Sequence, residues 1–268
     1  MSKNVQTLSS LKSFFKICGV GKADDVLVHS SLSSLGYVLN GPNDVIDALL
    51  SIIGSKGTLL MPGHSGQVTN PTYWNKPAIP SKKVCELISH IRPFDKKTTP
   101  VRSRGVIAST FMLYPNLERS EHPISSILAL GERAKFYCSS HPINQSEGIE
   151  SPIGRLYLRN GKVLLIGVGL ESCTALHLAE FIANVPYLSD KNNPEVLISD
   201  GKKNFYQRIE KYPKTSKYFG KILPLLRSLK LISEHSINSS KIVCFEIKPV
   251  IDLVVNELSI NPYFLIEE

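Results

Sequence analysis

The sequence KVLLIGVG at residues 162–169 predicts the fold class of the chain. Its four consecutive apolar residues, bounded by a lysine and a glycine, are typical of a buried strand in a parallel sheet. Behind it, residues 174–183 (TALHLAEFIA) have the spacing of a helix that ends before Pro186. A buried strand that leads through a glycine turn into a helix is a building block of α/β proteins.

The N-terminal part of the chain shows the same pattern. Residues 26–29 (VLVH) and 58–61 (TLLM) are predicted to be short buried strands, with a glycine-closed helix over 43–53 between them. A strand–helix–strand unit of about 35 residues has the size of a parallel crossover. A further helix is predicted over residues 7–20, where apolar side chains recur at helical spacing.

Segments outside these units complete one predicted domain. Residues 62–104 are rich in Pro, Thr, Ser, Asn and Lys, and we expect a long loop excursion over the active face, interrupted by a helix at 84–91. The other predicted elements are helices at 106–113 and 218–229 and strands at 241–248 and 253–255. We therefore expect a single α/β domain over residues 1–268, with a mixed or parallel central sheet and helices on both faces.

The composition narrows the classes of function. A net charge of +8 would suit a nucleic acid, but no zinc-finger, RNA-recognition or basic leucine-zipper pattern supports one. A phosphate-rich small molecule fits the charge at least as well, and a solvated basic surface stays open. No window of about 18 apolar residues predicts a membrane span. Five scattered cysteines without a CxxC pair favour a reducing compartment, and hence the cytoplasm.

Thr174, His177 and Glu180 are the main candidates for catalysis. Residues spaced three apart share one face of a helix, and this helix follows the carboxyl end of a strand, where ligands of open α/β sheets bind. An imidazole beside a carboxylate suits a general base, which needs a pKa near neutrality and a partner that orients the ring. A surface or core histidine is the alternative interpretation of the same pattern.

Two further segments place polar side chains in loops. The sequence HSSLSSLG at residues 29–36 follows the first predicted strand, and its backbone N–H groups can hold a phosphate or a thioester oxygen. The sequence ERSEHPISS at 118–126 contains Arg119, which suits a phosphate or carboxylate, and His122, which Pro123 holds in an extended approach. For residues 29–36 a helix N-terminus capped by serine is an equally open interpretation, and for residues 118–126 taken alone a loop with a helix N-cap at Ser125 is the favoured one.

Two other kinds of site find little support. The sequence GVGLES at 167–172 resembles a dinucleotide-binding turn, but Ser172 replaces its third glycine and no acidic partner follows about 20 residues on. A nicotinamide-dependent oxidoreductase is therefore disfavoured. No metal is expected either, because the candidate zinc ligands match no standard spacing. They are His122, Cys138, His141, Cys173 and His177.

Taken in order, several segments resemble the aminoglycoside 3-N-acetyltransferase family, the antibiotic N-acetyltransferases. No single motif is specific, but the combination in this order is. The matching segments are 28–36 (VHSSLSSLG), 45–50 (VIDALL), 57–62 (GTLLMP), 119–125 (RSEHPIS), 148–152 (GIESP), 165–169 (LIGVG) and 174–180 (TALHLAE). The resemblance covers residues 8–190 well and the remainder loosely.

The resemblance implies transfer of an acetyl or other short acyl group, with acetyl-CoA as co-substrate and no covalent enzyme intermediate. His177 matches the family's general base, and Glu180 is carried over as its orienting partner, with Thr174 beside them. The positions that look like coenzyme contacts are His29, Ser30, Ser31, Leu32, Leu35 and Gly36, with Ser103, Arg104, Gly105 and Val106. His64, His122 and Ser125 are assigned to substrate contact or site architecture.

The sequence leaves the identity of the acceptor amine open. Near position 109 the family tends to carry an acidic residue where this chain has Ser109, and no carboxylate occurs between Pro62 and Glu86. A site for a polycationic aminoglycoside needs carboxylates, so a nucleotide-linked amino sugar of surface polysaccharide synthesis is an equal alternative. A non-catalytic coenzyme A-binding protein on the same scaffold is a third. The expected partners are a small-molecule amine and coenzyme A, not a nucleic acid or a membrane, and a homodimer stays open.

Overall fold

Residues 5–74 and 79–267 are described by a computed structural model. The strands in these ranges are β1 Asp25–Ser30, β2 Thr58–Pro62, β3 Glu118–Arg119, β4 Ile127–Gly131, β5 Lys162–Ile166, β6 Glu195–Ser199, β7 Asn204–Arg208, β8 Ser233–Ile237 and β9 Ser240–Glu246. The α-helices are α1 Leu8–Ile17, α2 Pro42–Ile53, α3 Ser81–Ile88, α4 Gly105–Phe111, α5 Ala134–Cys138, α6 Pro152–Leu158, α7 His177–Ile182, α8 Leu223–Ser228 and α9 Ile247–Ile260. A 3₁₀ turn, Thr174–Leu176, leads directly into α7.

Seven strands form one mixed sheet in the order β3-β4-β2-β1-β5-β9-β8. β1 lies at its centre and runs parallel to both β2 and β5. The outer pairs, β2–β4, β3–β4, β5–β9 and β8–β9, are antiparallel. Strands β6 and β7 form a separate antiparallel hairpin. This mixed sheet, with helices on both faces, confirms the predicted α/β class.

Both faces of the central strands are buried. Successive side chains of a strand point to opposite faces, so Val26 and Val28 pack with α1, α2 and α4 while Leu27 packs with α5, α6, α7 and α9. A strand covered on both sides has no polar face, and its sequence is a continuous apolar run. This is why β1, β2 and β5 are recognisable in the sequence.

The parallel strands end at one edge of the sheet. Ser30, the last residue of β1, pairs with Ile166, the last residue of β5. β2 runs in the same direction and ends at Pro62. The carboxyl ends of neighbouring parallel strands are where open α/β sheets bind their ligands.

The long segment after β2 is held near both of its ends by Arg119. This guanidinium is almost completely buried and donates hydrogen bonds to the backbone carbonyls of Gly63 and Thr99. The donors of Arg119 therefore bind the protein's own backbone and the hydroxyls of Ser65 and Ser126. The helix predicted over 84–91 is present as α3, and residues 75–78 of the predicted excursion lie outside the described residues.

The prediction of a strand at residues 253–255 is wrong. These residues lie inside α9, Ile247–Ile260. The buried positions of α9 are Ile247, Val250, Ile251, Val254 and Leu258, which have the three- and four-residue spacing of a helix face. A run of three apolar residues is too short to separate strand from helix, and the wider spacing decides for the helix.

Several strands have no counterpart among the predicted elements, namely β3, β4, β6, β7 and β8. β3 and β8 lie at the sheet edges and β6 and β7 form the separate hairpin, where side chains are more exposed. β4 lies inside the sheet, and its short apolar run, ILALG, does not by itself separate strand from helix. The predicted helix at 218–229 is divided into a 3₁₀ turn, Phe219–Ile222, and α8. No helix in the described ranges is both long and apolar enough to cross a membrane.

An ion-pair network at the start of β1 fixes α5 to the sheet. The buried Asp25 accepts hydrogen bonds from Arg133 at 2.7 Å and from the Tyr137 hydroxyl at 2.6 Å. We expect Asp25→Asn to lower the free energy of unfolding by about 3 kcal/mol at neutral pH, because the remaining buried partners lose their counter-charge. Urea unfolding followed by circular dichroism measures it. Glu234→Gln, in the exposed pair with Arg227, should cost less than about 1 kcal/mol.

The contribution of Asp25 should also depend on pH. Burial raises its pKa, but the hydrogen bonds and charge of Arg133 and the Tyr137 hydroxyl outweigh burial and lower it overall. A carboxyl group with a lowered folded-state pKa stabilises the fold above the ordinary value of about 3.9 and loses that contribution as pH falls through the folded-state pKa. The difference between wild type and Asp25→Asn should therefore be constant above about pH 5 and shrink below about pH 4. A difference that grows on acidification would contradict this.

Candidate active site

His177, Glu180 and Tyr187 form a hydrogen-bonded chain behind the carboxyl end of β5. His177 is the first residue of α7, and its Nδ1 lies 2.6 Å from Oε2 of Glu180, one turn further on. The other carboxylate oxygen, Oε1, accepts a 2.7 Å hydrogen bond from the Tyr187 hydroxyl. The side chain of Glu180 is fully buried. With Nδ1 donating to the carboxylate, Nε2 is the nitrogen of a neutral His177 that can accept a proton.

The surroundings of His177 favour its protonated form. Burial lowers the pKa of the imidazole, but the charge and hydrogen bond of Glu180, helped by the charge of Glu147, outweigh burial and raise the pKa overall. The ring also packs edge-on against Phe219, with ring centroids 4.7 Å apart. An oriented imidazole whose cation is stabilised by a buried carboxylate has the properties of a general base.

Two cavities meet beside this histidine. The first, which we call the His29 cavity, has a volume of about 180 Å³. Its wall includes His29, Ser30, Pro62, Ser103, Arg104 and Gly105. The second, the His177 cavity, has a volume of about 250 Å³. Its wall includes His64, Arg104, Glu147, Thr174, His177 and Tyr212. Arg104 lines both cavities, so they share a wall.

A contact between Thr174 and His29 links the walls of the two cavities. The Thr174 hydroxyl, in the wall of the His177 cavity, lies 3.4 Å from Nε2 of His29, in the wall of the other. Burial, together with the charge of Arg104, lowers the pKa of His29 to about 3. His29 is therefore neutral at physiological pH, and its contact with Thr174 is a hydrogen bond between neutral groups.

His122 and His64 differ in what their nitrogens bind. Nδ1 of His122 accepts hydrogen bonds from the N–H groups of Ile124 and Ser125, and Nε2 donates to the carbonyl of Ile143. Both nitrogens are thus used to shape the loop. Nε2 of His64 is buried without a hydrogen-bond partner among the described residues, and His64 lines the His177 cavity. Burial, and then the charge of Arg104, hold its pKa well below the ordinary value.

Some residues proposed for the coenzyme line neither cavity. Leu35 is fully buried in the hydrophobic core, so its side chain has no surface to offer a ligand. Val106 is half exposed on α4. Three further residues proposed for coenzyme contact also line neither cavity, namely Ser31, Leu32 and Gly36. The structure brings together His29, Ser30, Ser103, Arg104 and Gly105 around the His29 cavity.

Glu147 and Tyr212 are two buried or partly buried polar residues of the His177 cavity that the sequence did not single out. Glu147 directly precedes the GIESP motif at 148–152, so its position beside a family motif was a signal. Its side chain is almost completely buried and lines the His177 cavity. Tyr212 lies in an irregular segment after β7 with no motif near it. Only the folded chain brings it beside Glu147.

The histidines and cysteines weighed as zinc ligands do not converge. His141 packs against the ring of His122, with centroids 4.6 Å apart, but hydrogen-bonds through Nδ1 to Ser120 and through Nε2 to the carbonyl of Ser146. In the described part of the chain, no three His, Cys, Asp or Glu side chains are grouped as metal ligands.

The sequence shows which family this arrangement belongs to. A model of the family described as aminoglycoside 3-N-acetyltransferase matches residues 27–259. The chain belongs to the aminoglycoside 3-N-acetyltransferase family. It is 35% identical over 199 residues to the SPbeta prophage-derived aminoglycoside N(3')-acetyltransferase-like protein YokD of Bacillus subtilis strain 168, covering 74% of this chain and 72% of that protein. It is 29% identical over 198 residues to aminoglycoside N(3)-acetyltransferase III of Pseudomonas aeruginosa, covering 74% and 72%.

Solved structures of relatives have the same fold. YokD of Bacillus subtilis superposes with a TM-score of 0.90 at 28% identity, over 97% of this chain and 95% of that one. The apoenzyme of aminoglycoside acetyltransferase AAC(3)-IVa superposes with a TM-score of 0.85 at 26% identity, over 100% and 93%. The family predicted from the sequence is therefore confirmed, and with it the class of acyl-CoA-dependent N-acyltransferases.

The raised pKa of His177 can be measured directly. We expect the imidazole to titrate above the ordinary histidine pKa of about 6.5, and Glu180→Gln to lower that pKa because the variant removes the charge that stabilises the imidazolium. Two-dimensional ¹⁵N NMR of the histidine rings gives both values. Glu150→Gln, an exposed carboxylate in neither cavity wall, should leave the titration unchanged. An unaltered His177 pKa in Glu180→Gln would contradict the assigned role.

Proposed function

We propose that the protein transfers an acetyl group from acetyl-CoA to an amine of an aminoglycoside-like acceptor, with His177 as general base. The observation that carries this proposal is the chain from Tyr187 through Glu180 to His177, which ends in the wall of the His177 cavity. This cavity adjoins a second one at Arg104, and two joined cavities suit two substrates that react with each other.

In the proposed reaction the acceptor amine attacks the thioester carbonyl directly. Nε2 of His177 takes a proton from the amine nitrogen as the nitrogen–carbon bond forms, and Glu180 stabilises the imidazolium. The carbon–sulfur bond then breaks, and the imidazolium returns the proton to the thiolate sulfur. No covalent enzyme intermediate is required. If the Nε2–H of His29 donates to the Thr174 hydroxyl, the one proton of that hydroxyl is available to donate to the carbonyl oxygen of the acetyl group, where negative charge develops.

We assign the coenzyme to the His29 cavity. The residues that line it come from the segments proposed for coenzyme contact, 29–36 and 103–106. AAC-IIIb, a chain of the same fold with a TM-score of 0.80 and 24% identity, was solved as a binary complex with CoASH. The cationic Arg104 lies in the wall that the two cavities share. There it would bind the thioester carbonyl at the end of the coenzyme arm.

We assign the acceptor to the His177 cavity and favour a cationic amine. Glu147 and Glu171 both line this cavity, so the site is richer in carboxylates than the net charge of +8 suggests. Carboxylates complement the ammonium groups of an aminoglycoside. A mutant of AAC(3)-IVa was solved in complex with a gentamicin. A nucleotide-linked amino sugar is the second candidate, because Arg104 and Lys214 line the same cavity and could bind a phosphate.

Thiol release from acetyl-CoA tests the function. We expect purified protein to release thiol with aminoglycosides such as gentamicin and sisomicin. A parallel panel of nucleotide-linked amino sugars tests the second candidate. Turnover confined to that panel would replace the proposed acceptor, and binding of coenzyme A without thiol release in either panel would favour a non-catalytic protein.

The role of His177 has its own test. We expect His177→Gln to lower kcat about a hundredfold or more, with coenzyme A binding unchanged, since general base catalysis contributes that much. The steady-state rate of thiol release and isothermal titration with coenzyme A measure the two effects. His90→Gln, an exposed histidine in neither cavity wall, is the matched control and should behave as wild type. Retention of the wild-type kcat in His177→Gln would rule out His177 as the base.

A further inference from the structure

One oxygen of the buried Glu147 carboxylate has no partner in the described structure. Only 3% of the residue is exposed, and Oε2 has no hydrogen-bond partner among the described residues. Glu147 lines the His177 cavity. A buried charged group is costly unless another group pairs with it. A donor or cation that enters the cavity would supply the missing partner.

The other carboxylates near His177 are already engaged. Glu180 uses one oxygen to hold His177 and the other to accept from Tyr187. Glu171 is exposed, and its Oε1 accepts a hydrogen bond from the N–H of Gly169. Of these three carboxylates, Glu147 is the one that is buried, lines the cavity and has an oxygen free for a ligand.

The chemistry of the proposed reaction leaves one proton unaccounted for. An alkyl amine is largely an ammonium ion at neutral pH, so its nitrogen must lose two protons to become an amide. His177 takes one of them as the nitrogen attacks, and that proton passes to the thiolate. The other proton must leave the ammonium before attack, because an ammonium nitrogen has no lone pair.

We propose that Glu147 binds the acceptor amine as its ammonium ion and accepts the first of its two protons. This step rests on the proposed function of the His177 cavity. The proton moves from nitrogen to the Glu147 carboxylate, which leaves a neutral amine beside His177. The amine then attacks the thioester, His177 carries the second proton to the coenzyme sulfur, and Glu147 releases the first proton to solvent when the product leaves.

The surroundings of Glu147 suit this role. Burial raises the pKa of Glu147, partly offset by the charge of His177 and the nearby hydroxyls of Ser146 and Ser125. A carboxylate with a raised pKa is a better proton acceptor than an ordinary one. The charges of Glu147 and His177 also influence each other's pKa, as expected for groups that flank one small cavity.

The test compares the pH dependence of kcat/KM for gentamicin acetylation in wild type and in Glu147→Gln. Wild type uses the ammonium form, so its kcat/KM should be flat above the pKa of His177 and fall above the pKa of the acceptor amine. Glu147→Gln can use only the neutral amine. Its kcat/KM should be about a hundredfold lower at neutral pH and should rise about tenfold per pH unit up to the amine's pKa.

Two further measurements separate this role from a structural one. The thermal unfolding midpoint of Glu147→Gln should be no lower than that of wild type, since the variant removes a costly buried charge and keeps the shape, and its coenzyme A binding should match wild type. Glu150→Gln, an exposed carboxylate three residues along the chain, is the matched control and should keep the wild-type profile. In wild type, the fall at high pH should move to lower pH when the acceptor is replaced by an amine of lower pKa.

The possible results distinguish the two proposals. If wild type acetylates amines and Glu147→Gln keeps both its rate and its profile, the role of Glu147 is overturned and the proposed function stands. A structural defect would lower the rate at every pH without changing which form of the amine reacts. A lower rate in Glu147→Gln with an unchanged shape of the pH profile therefore also overturns the role of Glu147. If wild type releases no thiol with any amine, the proposed function fails, and the role of Glu147 fails with it.

Discussion

The parallel pairing of β1 with both β2 and β5 is the constraint on which the site depends. Three neighbouring strands that run in one direction must end at one edge, and each must be followed by a segment that leaves that edge. The segments that follow β1, β2 and β5 therefore converge, although they are about 30 and 100 residues apart in the sequence. Burial of all three strands on both faces makes this arrangement rigid.

A buried charge orients the active histidine. Glu180 is fully enclosed, and the free energy cost of an enclosed carboxylate is offset only if both oxygens are bound. His177 and Tyr187 bind one oxygen each, so the geometry that stabilises the fold is also the geometry that orients the base. Glu147 presents the opposite case in the same cavity wall, because the described structure leaves its Oε2 without a partner.

Charge over the whole chain and charge within the site point in different directions. The net charge of +8 describes the surface and its long-range field. The His177 cavity nevertheless has Glu147 and Glu171 in its wall, facing Arg104 and Lys214. The absence of carboxylates from residues 63–85 is real, but carboxylates from residues 147 and 171 reach the same cavity from other segments. Local composition along the chain is therefore a poor guide to the charge of a cavity that several segments build.

By itself, the sequence determined the central strands, the α/β class, the family and the His177–Glu180 pair. Each of these is local: an apolar run, an ordered set of motifs, or two residues three apart on one helix. The edge strands and the helical state of residues 253–255 needed the fold, because short runs with one exposed face carry an ambiguous pattern. The roles of Arg119 and His122 in holding loops, and the meeting of Glu147 with Tyr212 and His177, were decided by tertiary structure alone. Apart from the two bonds of His122 to the nearby N–H groups of Ile124 and Ser125, these contacts join residues far apart in the chain. Only packing fixes which distant polar groups find partners.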